Sequence, residues 1–366
     1  MKLSIIIPTR ERAETLKHTI KTALNQGLES YEVIVSDNAS KDDTKIITQS
    51  FKDSRIVYIN TEERLSMTDN WEFAFNHARG EYIIYIGDDD AITINGIDYL
   101  MKMIDRYQAD SYKWKTSTYQ WPIDDRPASL LYEAPKSSIN KELDLKLLAY
   151  NCMKDGGWRY YEIPGVYHAA VSKKVLDKIK AKTGRLFHTT QPDLFTALSV
   201  PVYASRAISL SKPVTIQGRS AKSNGGSGLA KDGEKNVKQY KDEFGTYDVH
   251  KTLIPEITFD GSWFFDAFLV AKDLAPDFYS KIKFNYSAMW AFIIRIGFVN
   301  HLTVLKNIKK IKSKHKFSFR TFYKYLFIHK TLKTRRLLID KMVSAKETNT
   351  ASSNIYDYAL ECKINS

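Results

Sequence analysis

Cysteine is almost missing: the only two, Cys152 and Cys362, stand far apart in a chain of 366 residues. Neither a disulfide framework nor a cysteine metal site can be built from such a pair, and a reducing, cytoplasmic compartment is the expectation. Long apolar runs are lacking too. Ile5-Ile6-Ile7 is stopped by Pro8, which is too short for the core of an export signal. The most apolar stretch, residues 287–305, is interrupted by Arg295, Asn300 and His301 and falls short of a bilayer span. No internal repeat appears at solenoid spacing. Acidic residues are in deficit, 42 Asp and Glu against 55 Lys and Arg, a net charge of +13. Fourteen of the basic residues fall between His301 and Lys346, where Asp340 is the one acid. The excess is therefore a local patch, and the rest of the chain is close to neutral.

What is present is alternation. Residues 3–7, 32–36, 55–59 and 82–86 read as buried strands, the first three rich in β-branched residues. Between them, Leu16, Ile20, Ala23 and Leu24, then Trp71, Ala74, Phe75 and Ala78, recur at helical spacing. Ser40 and Asp43 form a capping-box-like helix start, and Gly80 reads as a helix stop. Such alternation predicts an α/β fold, a mostly parallel twisted sheet flanked by helices, with ligands beyond the C-terminal strand ends. Pro8-Thr9-Arg10, Asp37-Asn38-Ala39-Ser40 and Gly87-Asp88-Asp89-Asp90 each follow a strand and should converge there. From Ser111 the texture changes. Residues 112–118 alternate like a half-exposed strand, 143–150 look helical, and 166–171 and 207–210 look like strands. Residues 218–233 have the Gly, Ser and Lys content of a mobile loop.

Asp88, Asp89 and Asp90 repel one another at a strand end, and a divalent cation, Mn²⁺ or Mg²⁺, relieves that repulsion. The alternative is an acidic turn facing water. Asp37 has the position at which an acid accepts hydrogen bonds from a nucleoside, although an Asx turn through Asp37 and Asn38 suits the same residues. Arg219, with Ser220, Lys222 and Ser223, reads as a lid over phosphates or as a plain surface loop. His168 and His188 stay outside the predicted site, since a lone histidine is more often structural.

The strings Ser4-Ile5-Ile6-Ile7-Pro8-Thr9, Val33-Ile34-Val35-Ser36-Asp37-Asn38-Ala39-Ser40, Asn70-Trp71, Ala78-Arg79-Gly80-Glu81-Tyr82-Ile83 and Gly87-Asp88-Asp89-Asp90 occur in order over about the first 100 residues. Together they resemble the family 2 glycosyltransferases. That resemblance implies the glycosyltransferase A fold and inverting transfer of one sugar from a nucleoside-diphosphate sugar, preferably a UDP-sugar, to an acceptor hydroxyl. It implies donor binding by Pro8, Thr9, Arg10, Asp37, Asn38, Arg64, Asp88, Asp89 and Arg219. Asp90 would be the Mn²⁺ or Mg²⁺ ligand, and Asp193 the catalytic base, where a helix cap is the competing role. Glu11 departs from the family pattern, which leaves the parts played by Arg10 and Arg12 open.

The implied organisation is a nucleotide-sugar half over 1–110 and an acceptor half over 111–233 with its loop 218–233. A connecting segment follows over 234–284, then a basic amphipathic helical region over 285–346 and a tail over 347–366. The basic region suits either an anionic membrane surface, with a glycan or lipid-linked glycan acceptor at the inner face of the cytoplasmic membrane, or ordinary packing on the catalytic domain. No nucleic-acid partner is expected, because no recognition motif accompanies the charge. The setting that the resemblance implies is capsule, O-antigen or related surface polysaccharide synthesis. The alternatives are a sugar nucleotidyltransferase, which would need a Gly-rich phosphate loop in place of Pro8-Thr9-Arg10-Glu11, or an inactive sugar-nucleotide-binding module.

Overall fold

The computed structural model describes residues 1–135, 137, 139–223, 238, 242–245, 247–344, 352 and 354–364, excluding the side chains of 259, 333 and 335–344. The first seven elements alternate as the periodicity predicts: β1 (Leu3–Thr9), α1 (Ala13–Leu24), β2 (Tyr31–Asp37), α2 (Thr44–Ser50), β3 (Ile56–Asn60), α3 (Met67–His77) and β4 (Tyr82–Tyr85). Then come β5 (Ala91–Ile92), α4 (Gly96–Tyr107), β6 (Ser111–Lys113), β7 (Ser117–Gln120), β8 (Ser129–Tyr132), β9 (Lys141–Glu142) and α5 (Leu145–Lys154). They are followed by β10 (Ala169–Ser172), α6 (Lys173–Thr183), α7 (Pro192–Tyr203), β11 (Ala207–Ser209) and β12 (Thr215–Arg219). The remainder is helical: α8 (Phe259–Leu274), α9 (Pro276–Tyr279), α10 (Tyr286–Arg295), α11 (His301–Lys306), α12 (Ile308–Lys314), α13 (Phe319–Ser344) and α14 (Ile355–Glu361).

The large sheet runs β3-β2-β1-β4-β10-β6-β11-β9, and a smaller one runs β5-β12-β7-β8. Strands β1 to β4 are mutually parallel, whereas β10 is antiparallel to both β4 and β6. Because side chains alternate across a strand, each strand feeds two cores. Ile6, Ile34, Ile83 and Tyr85 enter one, with Trp71 and Phe75 of α3. Leu3, Ile5, Ile7, Val33, Val35 and Ile84 enter the other, with Leu16 and Ile20 of α1. Covering both faces is what makes these strands apolar throughout.

Several local expectations resolve differently. The strand expected over 112–118 splits: β6 belongs to the large sheet and β7 to the small one, so the chain changes sheets between them. Ser40 and Asp43 do not close a capping box. Asp42 instead accepts from Thr44 N (3.1 Å) and Ala13 N (3.0 Å), and Ser40 Oγ accepts from Glu11 N (2.9 Å), which ties this loop to the start of α1. Gly80 is not a helix stop with left-handed geometry. A Cβ there would lie 2.3 Å from Ser4 N, so glycine is required for the close approach to β1. Of the loop expected over 218–233, Gly218 and Arg219 end β12, and residues 224–233 lie outside the described residues.

The basic region is not an appendage. Trp290, Phe292, Phe322 and Tyr325 belong to the same core as Trp71 and Tyr85. The tail region contains α14, whose Ile355, Tyr358 and Ala359 pack with Tyr119 and Trp121. Among the described residues, no helix is long and apolar enough to cross a membrane.

His329 of α13 is buried against Trp158 and Phe292, and among the described residues neither ring nitrogen has a hydrogen-bond partner. Burial, then the charge of Arg295, lowers its pKa to about 4. A histidine held neutral in this way contributes stability above its ordinary pKa of 6.5, and that contribution is lost as pH falls toward 4. The thermal midpoint of the wild type should therefore drop more steeply over that interval than that of a His329→Phe variant. Parallel pH profiles of the two proteins would disprove this.

Candidate functional site

At the C-terminal end of β4 the acidic run enters a cavity of ≈ 300 Å³ lined by Pro8, Thr9, Arg10, Asn38, Asp88 and Asp89, and also by Asp193 and Arg219. The strand ends therefore converge as the topology requires. Trp71, from the Asn70-Trp71 string, lines it too, and so do four residues given no site role in the sequence: Arg12, Tyr167, Gln191 and Gln217. The first is the arginine left open there. The others come from segments whose placement depends on long-range pairing.

The three carboxylates are almost sealed from solvent, and each is compensated differently. Asp88 accepts from Thr9 Oγ1 (2.7 Å) and pairs with Arg12 Nη1 (2.8 Å). Asp90 is completely buried. Gly87 N (2.5 Å) and Tyr167 OH (2.8 Å) donate to its Oδ2, and Gly218 N (2.7 Å) donates to Oδ1. His168 Nε2 lies 3.2 Å from Asp90 Oδ2. Trp114 Nε1 donates to Thr215 Oγ1 (2.7 Å), and His168 Nδ1 lies 2.8 Å from the same oxygen. Burial opposes ionisation of Asp90, but His168 and the N–H groups of Gly218 and Gly87 outweigh it and hold the carboxyl below the usual range.

Asp89 is the exception. Among the described residues, only Ser220 N (2.9 Å) donates to its carboxylate. Burial and then the adjacent Asp90 raise its pKa, and Arg12 opposes that only in part. This uncompensated oxygen at the cavity wall fits a divalent cation, which would favour the ionised form. Asp90, which the resemblance makes the metal ligand, does not line the cavity and would have to give up existing donors to reach a cation.

Backbone geometry fixes the run from several directions. Thr19 Oγ1 of α1 lies 2.9 Å from Asp88 O and 2.7 Å from Asp90 O. Gly218 passes so close that a Cβ there would lie 1.7 Å from Asp89 O. Glu11, Ala39, His168 and Thr189 all have φ between 50° and 63°. These left-handed turns flank cavity residues, and strain of this kind concentrates at functional sites.

Two expected donor residues are engaged elsewhere. Asp37 is buried, accepting from Ser40 N (3.0 Å), Tyr58 OH (2.6 Å) and Asn60 Nδ2 (3.2 Å), and it does not line the cavity. The Asx-turn reading describes it better. Arg64 lies outside the cavity and pairs with Glu11 (3.0 Å). Asn38 lines the cavity while its amide is held by Leu65 O and N (2.8 Å each). Arg10 forms an ion pair with Glu243 at the cavity wall. Lys222 Nζ donates to Glu11 O (2.9 Å), and Arg12 donates to Lys222 O, so residues 220–223 are strapped against the site.

Asp193 is in the first turn of α7, after Gln191 at the cap and Pro192, so it is not the cap residue. It lines the cavity, and burial raises its pKa against the opposing effect of nearby backbone N–H groups. His188 lies outside the cavity, its ring tilted against that of Phe195 with centres 4.7 Å apart.

The chain is similar in sequence to known glycosyltransferases. The chain is 36% identical over 104 residues to the GalNAc(5)-diNAcBac-PP-undecaprenol beta-1,3-glucosyltransferase of Campylobacter jejuni, covering 28% of this chain and 34% of that protein. It is 34% identical over 88 residues to the UDP-Glc:alpha-D-GlcNAc-diphosphoundecaprenol beta-1,3-glucosyltransferase WfaP of Escherichia coli, covering 24% of this chain and 35% of that one. The matches thus span about a third of the length of these relatives. Among solved structures, S. aureus TarS 1-349 in complex with UDP-GlcNAc aligns over 91% of this chain and 92% of that chain, with 15% identity and a TM-score of 0.49. The family model described as Glycosyl transferase family 2 matches residues 4–160. The acidic run and strands β1 to β4 lie inside the stretch that is similar to the glycosyl transferase family 2 model.

Proposed function

We propose that the chain transfers one sugar from a nucleoside-diphosphate sugar, a UDP-sugar by preference, to an acceptor hydroxyl with inversion. The observation that carries this reading is the single cavity in which Asp88, Asp89, Arg12 and Arg219 lie together with Asp193. Two cationic side chains and an uncompensated carboxylate suit a diphosphate bridged by a cation, and a carboxylate on another element suits an acceptor base. One relative is named for a UDP-Glc donor, and both for undecaprenol-linked compounds, which supports a UDP-sugar and a lipid-linked glycan here. Surface polysaccharide synthesis is the setting that follows. Pro8, Thr9 and Asn38 would form the nucleoside wall, and Asp37 and Arg64 would support it from behind.

A bound Mn²⁺ or Mg²⁺ would neutralise charge building on the departing diphosphate. We assign its protein contact to Asp89 first, and Asp90 holds the run in place. Asp89→Asn should then abolish Mn²⁺-dependent stabilisation while leaving the metal-free thermal midpoint equal or higher. Asp90→Asn should cost about 3 kcal/mol of stability, because it sets an amide against buried donors. A cation response lost in Asp90→Asn and retained in Asp89→Asn would reverse the assignment.

Asp193, ionised, would accept the proton of the attacking hydroxyl. Its raised pKa places the acid limb of kcat/KM above the ordinary carboxylate range, with activity rising as the group ionises. Asp193→Asn should lower kcat by about 10²- to 10⁴-fold and leave UDP binding within about twofold. Lost UDP binding would refute the role.

The basic region is proposed to lie on an anionic membrane surface at the cytoplasmic face. Phe319, Tyr323 and Phe327 stand at four-residue steps on α13, exposed by 38%, 47% and 72%, and Lys312 Nζ sits 4.6 Å from the Phe319 ring centre. Burying such side chains in an interface contributes about 1.5–3 kcal/mol each. Deleting the region would remove Trp290 and Phe322 from the shared core and unfold it, so point variants are the sound test. Tyr323→Ser with Phe327→Ser should pellet at least about tenfold less with phosphatidylglycerol vesicles at unchanged thermal midpoint. Undiminished pelleting would exclude this face.

A further inference from the structure

A second cleft, ≈ 890 Å³, opens between α5, α8, α10 and the start of α13 and shares no lining residue with the donor cavity. Six lysines line it: Lys154, Lys251, Lys272, Lys281, Lys283 and Lys316. They come from separate segments, and only Lys316 belongs to the basic stretch visible in the sequence. Asp273 is the one acid on the lining, and it is already held by His250 Nε2 at 2.9 Å. Among the described residues, no ion pair engages any of the six lysines. Like charges gathered around one concavity, with the local acid spoken for, raise its potential and favour a multiply charged anion.

The other lining groups narrow the class of anion. Ser318 and Thr321 lie at the N-terminus of α13, and Asn285 and Ser287 at that of α10, so hydroxyls and the positive ends of two helices face the same space. Lysines supply compact point charges suited to phosphate oxygens. Few aromatic faces are open for stacking bases: Phe284 is buried, His315 stacks on Tyr286 at 4.1 Å, and Lys154 Nζ lies 5.6 Å from the centre of the exposed Tyr150 ring. A nucleic acid, which needs such faces, is disfavoured. The floor is rigid, with His250 Nδ1 bound to Thr252 Oγ1 (2.9 Å), Tyr286 OH to the same oxygen (3.2 Å) and His315 Nε2 to Thr252 O (2.6 Å).

We propose that this cleft is a second binding site, independent of the donor cavity, for a phosphate-bearing ligand with two or more negative charges. The ligand is either a soluble diphosphate or the phosphate group of a lipid. The test uses the full chain, a Lys281→Gln/Lys283→Gln variant and a charge-matched control, Lys174→Gln/Lys178→Gln on α6. Inorganic pyrophosphate is titrated by calorimetry with UDP in excess, and pelleting is measured at pH 8 with phosphatidylcholine vesicles with and without phosphatidic acid. A soluble ligand predicts pyrophosphate binding that weakens with salt and is about tenfold weaker in the cleft variant only. A lipid ligand predicts pelleting that depends on phosphatidic acid and falls in the cleft variant and not in the control. UDP affinity should be the same in all three proteins, so failure of the donor reading shows separately. If neither arm depends on Lys281 and Lys283, the proposal is overturned.

Discussion

Three adjacent carboxylates at the end of a buried strand must be kept apart electrostatically, and much of the surrounding architecture does this. In a medium of low dielectric the mutual repulsion of Asp88, Asp89 and Asp90 would be severe if all three faced the same partners. The fold gives each a separate environment. Asp88 meets a guanidinium and a hydroxyl, Asp90 meets a ring of N–H and O–H dipoles, and Asp89 is left short of donors. The shortage is local, because Arg12 and the donors of Asp90 are already committed. An incoming cation therefore finds one open carboxylate in a framework whose other charges are balanced.

That arrangement imposes requirements on distant parts of the chain. β12 must approach until its backbone touches Asp89, which only glycine at 218 permits. The chain before β10 must turn through a left-handed residue, His168, so that Tyr167 and His168 both face Asp90. Glu11 adopts a similar turn immediately before Arg12. Each such residue costs of order 1 kcal/mol or more and persists only where its neighbours overdetermine it. Here the neighbours are strands of the large sheet and the helix α1, whose packing on two apolar cores is extensive.

The strands and the core-facing helical residues were legible because burial on both sheet faces leaves a continuous apolar signature, and the acidic run was legible from its place after β4. The strings Asn70-Trp71 and Ala78-Arg79-Gly80 gave the resemblance, and the structure supplies their physical content. Asn70 bonds Ser36 (2.7 Å), Arg79 pairs with buried Glu32 (2.6 Å), and Gly80 N donates to Ser4 Oγ (2.8 Å). What could not be read depends on register between segments far apart. Tyr167 and Gln217 gain their positions from pairing with residues 80 or more places away, and no local pattern marks them. Asp37 shows a related effect: it follows a strand end as a ligand contact would, and Tyr58 and Asn60, two residues apart on the neighbouring β3, hold one of its oxygens. Net charge misled, since counting along the chain found the run after His301 and missed the lysines that folding gathers.

The C-terminal helices share their core with the floor of the donor cavity. Trp71 lines that cavity and stacks on Tyr85 at 4.5 Å, and Phe187 packs edge-on against both rings. The same apolar cluster continues through Phe195 and Phe268 to Trp290 and Phe322, the last on the helix that carries the exposed aromatic stripe. Interiors of this density deform little, so α13 cannot shift without moving its neighbours. The surface of the basic region and the wall of the donor cavity are therefore two faces of one packed body. A bilayer or phosphate ligand bound on the first would bear on a structure that is mechanically continuous with the second.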